Sequence, residues 1–419
     1  MTTTPSAEEQ LRTLMRGVEY GDPHIHRTME EELRERLREG RPLRVYCGFD
    51  PTSTDLTIGN LVPMLKMRQF QRFGHEVTFL FGTMTGIVGD PSDKTAARQM
   101  LTMEQVEANA REWLRQVYRV LDRERTVIRR NGDWLAGMTL AEVIELGSHF
   151  TVAQFLERET FAKRLEEHKP IYVHEFLYAL MQARDAVELR TDVQIGGVDQ
   201  LFNIMAGRIL QRDLGQRPLV AVCTPLLIGT DGHLKMSKST GNYIGMDDAP
   251  ADMYGKVMSI PDSLVLNWFT LLTEVPNEEL RDIERQLEAG GGRAMELKKR
   301  LAREIVGLLN GPEAAQEAQA EFERVFQRRE RPEESALELP LDLGPAGEAE
   351  FDLTQVLVAC GGVPSRAEAR RLLSQGAISV DGVQVTAPRV ALRQGAVIRV
   401  GRHRFFRVAA DRRRDTGDE

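Results

Sequence analysis

The sequence is short of the features that would place a protein outside a reducing, aqueous compartment. Only three cysteines occur in 419 residues, Cys47, Cys223 and Cys360, odd in number and far apart. That spacing argues against both a disulfide framework and a zinc site. No run of about 18 apolar residues exists, so no membrane span is expected. The opening stretch MTTTPSAEEQLRTLMRG lacks the apolar segment of a secretory signal, and a cytoplasmic location is expected. The eight histidines form no metal-spaced cluster, and His24 and His26 read as surface residues; no protein metal site is expected. Acids are scarce in one place only. Residues 351–408 hold nine arginines against Asp352, Glu368 and Asp381, a local charge of +6 in a chain of net charge −8. A basic module on an acidic chain suits a polyanionic partner.

What is present reads as an α/β protein. LRVYCGF (43–49) and EVTFLFG are buried strands, and LVPMLKMRQFQRFG between them is a helix ended by Gly74. Strand, helix, strand at this spacing gives a βαβ unit and a parallel sheet. Val106, Ala110, Trp113, Val117 and Val120 mark one face of a helix over 103–122. TVIRR (126–130) and RPLVAVCTPLLIG (217–229) read as further strands, with mostly helical residues over 138–212 and again from 250 to 330. The stretch 329–350 carries Pro, Gly and acids without periodicity and reads as a linker. The expected organisation is a Rossmann-like doubly wound parallel sheet over 1–249, an all-α domain over 250–328 and that linker. A small α+β domain over 351–410 and a tail over 411–419 follow.

Three segments carry candidate chemistry. DPTSTDLTIGN (50–60) lies where a strand hands over to a helix, and a helix N-terminus offers unpaired N–H groups to phosphate. Gly59 admits close approach there, and Thr52, Thr57 and Asn60 are hydrogen-bond donors, yet the turn has no cation; an ordinary capped helix would look the same. In DGHLKMSKSTGNYIG (231–245), Lys235 and Lys238 sit three apart among small residues. Such a cationic loop is suited to charge building on a departing pyrophosphate, or is simply solvated surface. Tyr178, Gln182 and Asp185 stand at i, i+4 and i+7, one face of a helix in an otherwise apolar segment.

KMSKS (235–239) resembles the loop signature of class I aminoacyl-tRNA synthetases. YCGFDPT (46–52), GDPSDK (89–94), YALMQARD (178–185) and QIGGVDQ (194–200) are similar, in order, to blocks of the tyrosyl-tRNA synthetase family. PSRAEARRLLSQGAISVDG (364–382) resembles the S4 RNA-binding module that bacterial members carry. The resemblance implies ATP, L-tyrosine and tRNA(Tyr) as substrates, Mg²⁺ on the ATP phosphates, and a homodimer paired through the region of HFTVAQFLERETFAKRL (149–165). In that last segment Phe150, Val152, Phe155 and Leu156 look in excess of one buried face.

The resemblance also implies residue roles. Tyr178, Gln182 and Asp90 hold the α-ammonium of tyrosine, Tyr46 and Asp185 its phenol hydroxyl, and Gln194 and Gln200 line that end of the pocket. Gly197 and Asp199 hold the ribose, with Gly48 and Asp50 nearby, and Leu227 and Ile228 bracket adenine. Lys94 and Arg98 wrap the pyrophosphate together with Lys235 and Lys238. Arg366, Arg370 and Arg371 form a helix face against tRNA phosphates, with Ser365 as the cap.

In the family the first turn reads H-I-G-H; here Thr57 and Asn60 stand in place of both histidines. A charged hydrogen bond contributes about 1.5–3 kcal/mol and a neutral one about 0.5–1.5. The exchange therefore costs about 1 kcal/mol per site, roughly fivefold each in rate, which slows a site without silencing it. T-I-G-N is also similar to the tryptophanyl-tRNA synthetase turn. Two rival readings follow: tryptophan as the substrate, and a catalytically silent RNA-binding protein on a synthetase scaffold.

Overall fold

The computed structural model describes residues 5–53, 55–91, 102–290, 292–327, 336–344, 347–363, 365–401 and 404–410. It divides into two compact units, Met1–Gln319 and Ala320–Glu419, whereas the boundaries read from composition fall near 249 and 350.

Five parallel strands organise the first unit. They are β1 (Arg44–Phe49), β2 (Glu76–Phe81), β3 (Thr126–Arg130), β4 (Val193–Gly197) and β5 (Val220–Thr224), in the order β3-β2-β1-β4-β5. Val77, Phe79, Leu80 and Phe81 are buried, and so is every residue of β5. Strands covered on both faces by crossover helices read as near-continuous apolar runs, which is why they stand out in the sequence. The chain lays down β1, β2 and β3 in one direction and then returns to place β4 on the other side of β1. In such sheets the crevice outside the strand ends, where the order reverses, is the ligand site.

The helix Ile58–Arg72 follows β1. Thr57 is extended at its start, and Gly74 ends it at φ +87°, a conformation that favours glycine. Pro63 lies inside this helix, where it removes one backbone donor. The helix Met103–Val117 buries Val106, Ala110, Trp113 and Val117, and Val120 is buried just past its end. The helices Pro250–Met258, Val265–Leu272, Asn277–Glu288, Arg293–Asn310 and Pro312–Phe322 follow the sheet. Trp268, fully buried, donates through Nε1 to Ile228 O at 3.2 Å, so the first of these helices pack within the same unit as the sheet.

Two expectations are corrected. The stretch 138–212 is mostly helical, as expected, with the QIGG segment closing β4. The strand expected over 217–229 narrows to Val220–Thr224, because Pro218 and Pro225 lack the N–H a ladder needs. The 329–350 linker contributes β6 (Leu337–Leu341) and most of β7 (Glu348–Asp352). Their partners are β12 (Arg404–Ala410) and β10 (Arg389–Arg393), distant in sequence, so no local pattern announces them.

Beyond β7 the second unit comprises the helices Leu353–Ala359 and Arg366–Ser374, then β8 (Ile378–Val380), β9 (Val383–Gln384), β10 (Arg389–Arg393), β11 (Val397–Val400) and β12 (Arg404–Ala410). One sheet runs β6-β12-β11-β8-β9, and β10 pairs with β7. Asp381 and Gly382, at φ +50° and +81°, turn β8 into β9 as an Asp-Gly hairpin should. Leu353, Leu357, Ala369, Leu373, Ile378, Leu392 and Ile398 form a separate core.

The 149–165 segment departs from a simple apolar surface. Phe155 and Phe161 are buried against Phe176 at 5.3 and 5.2 Å. Val152 is exposed, as expected, and the other large hydrophobic side chains left exposed in this region are Leu140, Ile144, Leu165, Tyr172 and Val173.

Candidate active site

A cavity of about 580 Å³ opens at the carboxyl ends of β1 and β4, beside the start of the helix Ile58–Arg72. Register explains its inner end. Tyr46 on β1 is paired with Gln194 on β4, so both side chains leave the sheet on the same side. Asp185, from the helix Val173–Glu188, also reaches the cavity and is only 2% exposed. Trp134 Nε1 donates to Asp185 Oδ1 at 2.9 Å, and Asn131 Nδ2 to its Oδ2 at 3.2 Å. Burial nevertheless dominates and pushes the carboxyl up to about 8, against those two hydrogen bonds.

Neither the Tyr46 hydroxyl nor Gln194 Oε1 makes a hydrogen bond of good geometry among the described residues, although both atoms are buried. Burial, then the nearby Asp185 carboxylate, pushes the Tyr46 hydroxyl well up; the Gln194 amide beside it acts the other way. Buried polar atoms are normally partnered, and those that are not call for an explanation.

Further along the cavity Tyr178 donates to Asp50 Oδ2 at 2.8 Å, and Thr85 Oγ1 donates to Asp50 Oδ1 at 2.7 Å. A Cβ at Gly82 would fall 1.9 Å from that Oδ1, so only glycine fits there. Gln200 Nε2 donates to Asp90 Oδ2 at 2.5 Å, and Arg158 lies 3.6 Å from Asp90 Oδ1. Arg158 is buried, its guanidinium near the rings of Phe161 and Phe202. Gln182 lines the cavity beside these groups.

At the outer end, Gly48 lies one residue before the end of β1, with open space where a Cβ would be, and Gly197 finishes β4. A Cβ at Gly197 would meet Asp199 Oδ1 at 2.5 Å. Lys235 Nζ bonds Asp199 Oδ2 at 3.2 Å. Lys238 Nζ donates to Asp55 O at 2.6 Å and Ser53 Oγ at 3.2 Å. Leu227 lines the cavity, its carbonyl accepting from Met236 N at 2.8 Å. Ile228 is not among the lining residues: its carbonyl takes the Trp268 indole, and it pairs with Lys235.

The turn without histidines is tightly built. Asn60 Oδ1 accepts from Thr57 N at 3.0 Å and from Thr57 Oγ1 at 3.2 Å. The Thr57 hydroxyl proton is thus spent inside the turn, and the Asn60 N–H groups remain to donate outward. Ile58 N donates to Ile244 O, and Met246 N to Leu56 O, stitching the turn to the strand-like exit of the Lys235–Lys238 loop. Thr52 and Gly59 line the same end. Lys94 and Arg98, with Asp93, lie outside the described residues.

Sequence reasoning missed the groups that hold these side chains in place. Asn109 Nδ2 donates to Pro51 O at 2.8 Å, Trp113 Nε1 to Ser53 O at 2.7 Å, and Gln116 Oε1 accepts from Leu56 N at 3.0 Å. Three side chains of one helix thereby fix the 51–56 loop. Asn131, Trp134 and Arg158 were missed as well; none stands in a motif, and only the fold brings them to Asp185 and Asp90.

In the second unit Ser365 caps the helix Arg366–Ser374 by accepting from Glu368 N at 3.2 Å. Arg366, Arg370 and Arg371 are exposed. Arg371 is paired with Glu368 at 2.6 Å and with Gln375 at 2.9 Å.

Comparison with known proteins agrees with this geometry. Residues 38–327 match the tRNA synthetases class I (W and Y), and residues 353–398 match the S4 domain. The tyrosine–tRNA ligase of Symbiobacterium thermophilum is 46% identical over 410 residues, 96% of this chain and 98% of that one. That of Thermotoga maritima is 42% identical, over 96% and 98% of the two chains. Among solved structures, a C-terminally truncated mitochondrial tyrosyl-tRNA synthetase of Aspergillus nidulans has a TM-score of 0.63 at 23% identity, covering 78% of this chain and 95% of that one. The Archaeoglobus fulgidus tyrosyl-tRNA synthetase, complexed with L-tyrosine, has a TM-score of 0.59 at 23% identity, covering 75% and 100%. The family model covers well over half of the chain, and the chain belongs to the class I tRNA synthetases of the W and Y type, with an S4 domain.

Proposed function

We propose that the chain activates L-tyrosine with ATP, giving tyrosyl-adenylate and pyrophosphate, and then transfers the tyrosyl group to the 3′ end of tRNA(Tyr). The observation that carries this reading is the buried inner end of the cavity. The Tyr46 hydroxyl has no good hydrogen bond there and Asp185 stands close to it, an arrangement shaped for a para-hydroxyl ring. Phenylalanine would leave the buried Tyr46 hydroxyl unpaired, at a cost of about 1–3 kcal/mol. The two ligases compared above carry the same activity in their names.

In this reading the roles are those that the resemblance implies. Asp90, Tyr178 and Gln182 receive the α-ammonium of tyrosine, and Gln194 and Gln200 line its pocket. Gly48, Asp50, Gly59, Gly197, Asp199 and Leu227 take the nucleotide. The tyrosine carboxylate attacks the α-phosphorus of ATP, the new C–O–P linkage forms, and the bond to pyrophosphate breaks. No protein nucleophile or base is required. The work is orientation and neutralisation of charge on the leaving group by Lys235, Lys238, Asn60 and the turn of Thr52 and Thr57, with Lys94 and Arg98 assigned by resemblance. Mg²⁺ enters as part of the ATP substrate; among the described residues no group of three His, Cys, Asp or Glu could hold an ion.

Arg366, Arg370 and Arg371 meet tRNA phosphates in this reading. The exposed Leu140, Ile144, Val152, Leu165 and Val173 form a homodimer face. No described helix is long and apolar enough to cross a membrane; a cytoplasmic location is part of this reading.

Tyrosine-dependent ATP–pyrophosphate exchange tests the proposal. Exchange with tyrosine supports it, and exchange with tryptophan alone overturns the substrate. Silence with both amino acids, together with retained tRNA binding, favours the RNA-binding scaffold. Sedimentation as a monomer at micromolar concentration overturns the dimer.

A further inference from the structure

Asn242 lies outside the cavity wall, yet it organises the loop that crosses the mouth. Its side chain is 5% exposed. Nδ2 donates to Asp231 Oδ2 at 2.9 Å and to the carbonyls of Leu234 and Lys235, each at 3.2 Å. Oδ1 accepts from Ser237 N at 2.9 Å and from Thr240 Oγ1 at 2.7 Å. One amide thus makes five contacts with its two N–H groups and two lone pairs, one N–H being shared. Its own carbonyl accepts from Thr230 N at 3.0 Å. Room for it comes from Gly229, where a Cβ would fall 2.3 Å from Asn242 Nδ2.

The partners bracket both lysines. Lys235 O is bound directly, and Lys238 sits between Ser237 and Thr240, which are both bound. Met236 is buried, but Ser237, Ser239, Thr240 and Gly241 after it have little apolar surface to bury, so packing gives that half of the loop little order. A loop ordered only on meeting its ligand would carry that entropy cost into the reaction. We propose that Asn242 is a positioning residue for the adenylation step, holding 231–242 as a preformed turn so that Lys235 and Lys238 meet the leaving pyrophosphate already in place. This rests on the reading of the cavity as a tyrosine-activating site, with the loop at its phosphate end. Asn242 touches neither substrate and acts through the backbone that carries the two cations.

The test compares wild type, Asn242→Ala and Asp231→Ala in two assays. Amide hydrogen exchange reads the turn itself, whatever the activity. The Asn242→Ala variant should lose protection between residues 234 and 242, and unchanged protection overturns the proposal. Pyrophosphate exchange reads the consequence. The kcat of Asn242→Ala should fall about 100-fold, the size expected when reacting groups are held loosely. Its dissociation constant for tyrosine, measured by equilibrium dialysis without ATP, should stay within about twofold of wild type, because that pocket is at the other end. A wild-type kcat overturns the proposal, as does a tyrosine affinity that falls in step with kcat. Should Asn242→Ala not fold, Asp231→Ala decides. It removes one partner of Asn242, together with the acceptor of His233 N and Leu234 N, at an exposed position and should show the same split at about tenfold; a wild-type kcat there overturns the proposal. A wild-type chain that is silent with tyrosine while its loop is protected by Asn242 refutes the assigned function and leaves the turn-holding role standing.

Discussion

At the scale of single residues, two side chains show how environment decides chemistry. Asp185 is a carboxyl whose ionised form is disfavoured by burial, so its folded-state pKa rises to about 8 from an ordinary value near 4. The folded chain therefore binds one proton more than the unfolded chain between those limits. This contribution to stability is present at low pH and is lost as pH rises towards 8. Asp185→Asn removes the titration. Its melting temperature relative to wild type should climb from pH 5 to pH 8 and level off above, while tyrosine-dependent exchange is severely reduced; a pH-independent difference refutes the assignment.

Asn60 is the second such residue. Its Oδ1 closes the turn onto Thr57, so Asn60→Asp keeps the closure but replaces an outward donor by an acceptor facing phosphate. The melting temperature should hold and the kcat of exchange should fall about tenfold or more. An unchanged kcat would mean that this turn contributes only its backbone.

At the scale of elements, the active-site loop is held by a helix that carries no signature. Gln116, Trp113 and Asn109 on Met103–Val117 bind the backbone of residues 51–56. Gln116→Ala leaves the Leu56 N–H buried without its acceptor, which should cost about 1–3 kcal/mol of stability. It should also lower the adenylation rate more than tyrosine affinity, since Thr57 and Asn60 directly follow Leu56. Equal loss of both would show that the loop supports the whole pocket instead. The helix itself was legible from Val106, Ala110, Trp113 and Val117, whose spacing marks a buried face. Its polar contacts were not, because a glutamine on a helix gives no sign of which distant N–H it will meet. The strands β1, β2 and β3 were legible for the same kind of reason, as apolar runs bounded by turns. β6 was not legible, because its register depends on β12, more than sixty residues away.

At the scale of the whole molecule, charge is divided between the parts of the chain. The stretch 351–408 carries a charge of +6, against a net −8 for the chain. If Arg366 and Arg370 meet tRNA phosphates, the affinity for tRNA should fall steeply with salt, and Arg366→Ala/Arg370→Ala should flatten that slope by about two counterions. Pyrophosphate exchange, which involves no tRNA, should be unaffected. A double variant with the wild-type salt slope would place the contact elsewhere in the unit.

The sequence by itself determined the parallel α/β class, the helix faces, the basic terminal module and about half of the residues that line the cavity. These follow from local periodicity and from short motifs whose residues are neighbours along the chain. Tertiary structure alone decided that Asn131 and Trp134 hold Asp185, that Arg158 holds Asp90, and that Asn60 spends its oxygen on Thr57 rather than on a ligand. It also decided which apolar side chains of 140–173 stay exposed and that two strands occupy the presumed linker. Each of these depends on atoms that meet only when distant segments pack, and a hydrogen bond has no signature until both of its ends are in place.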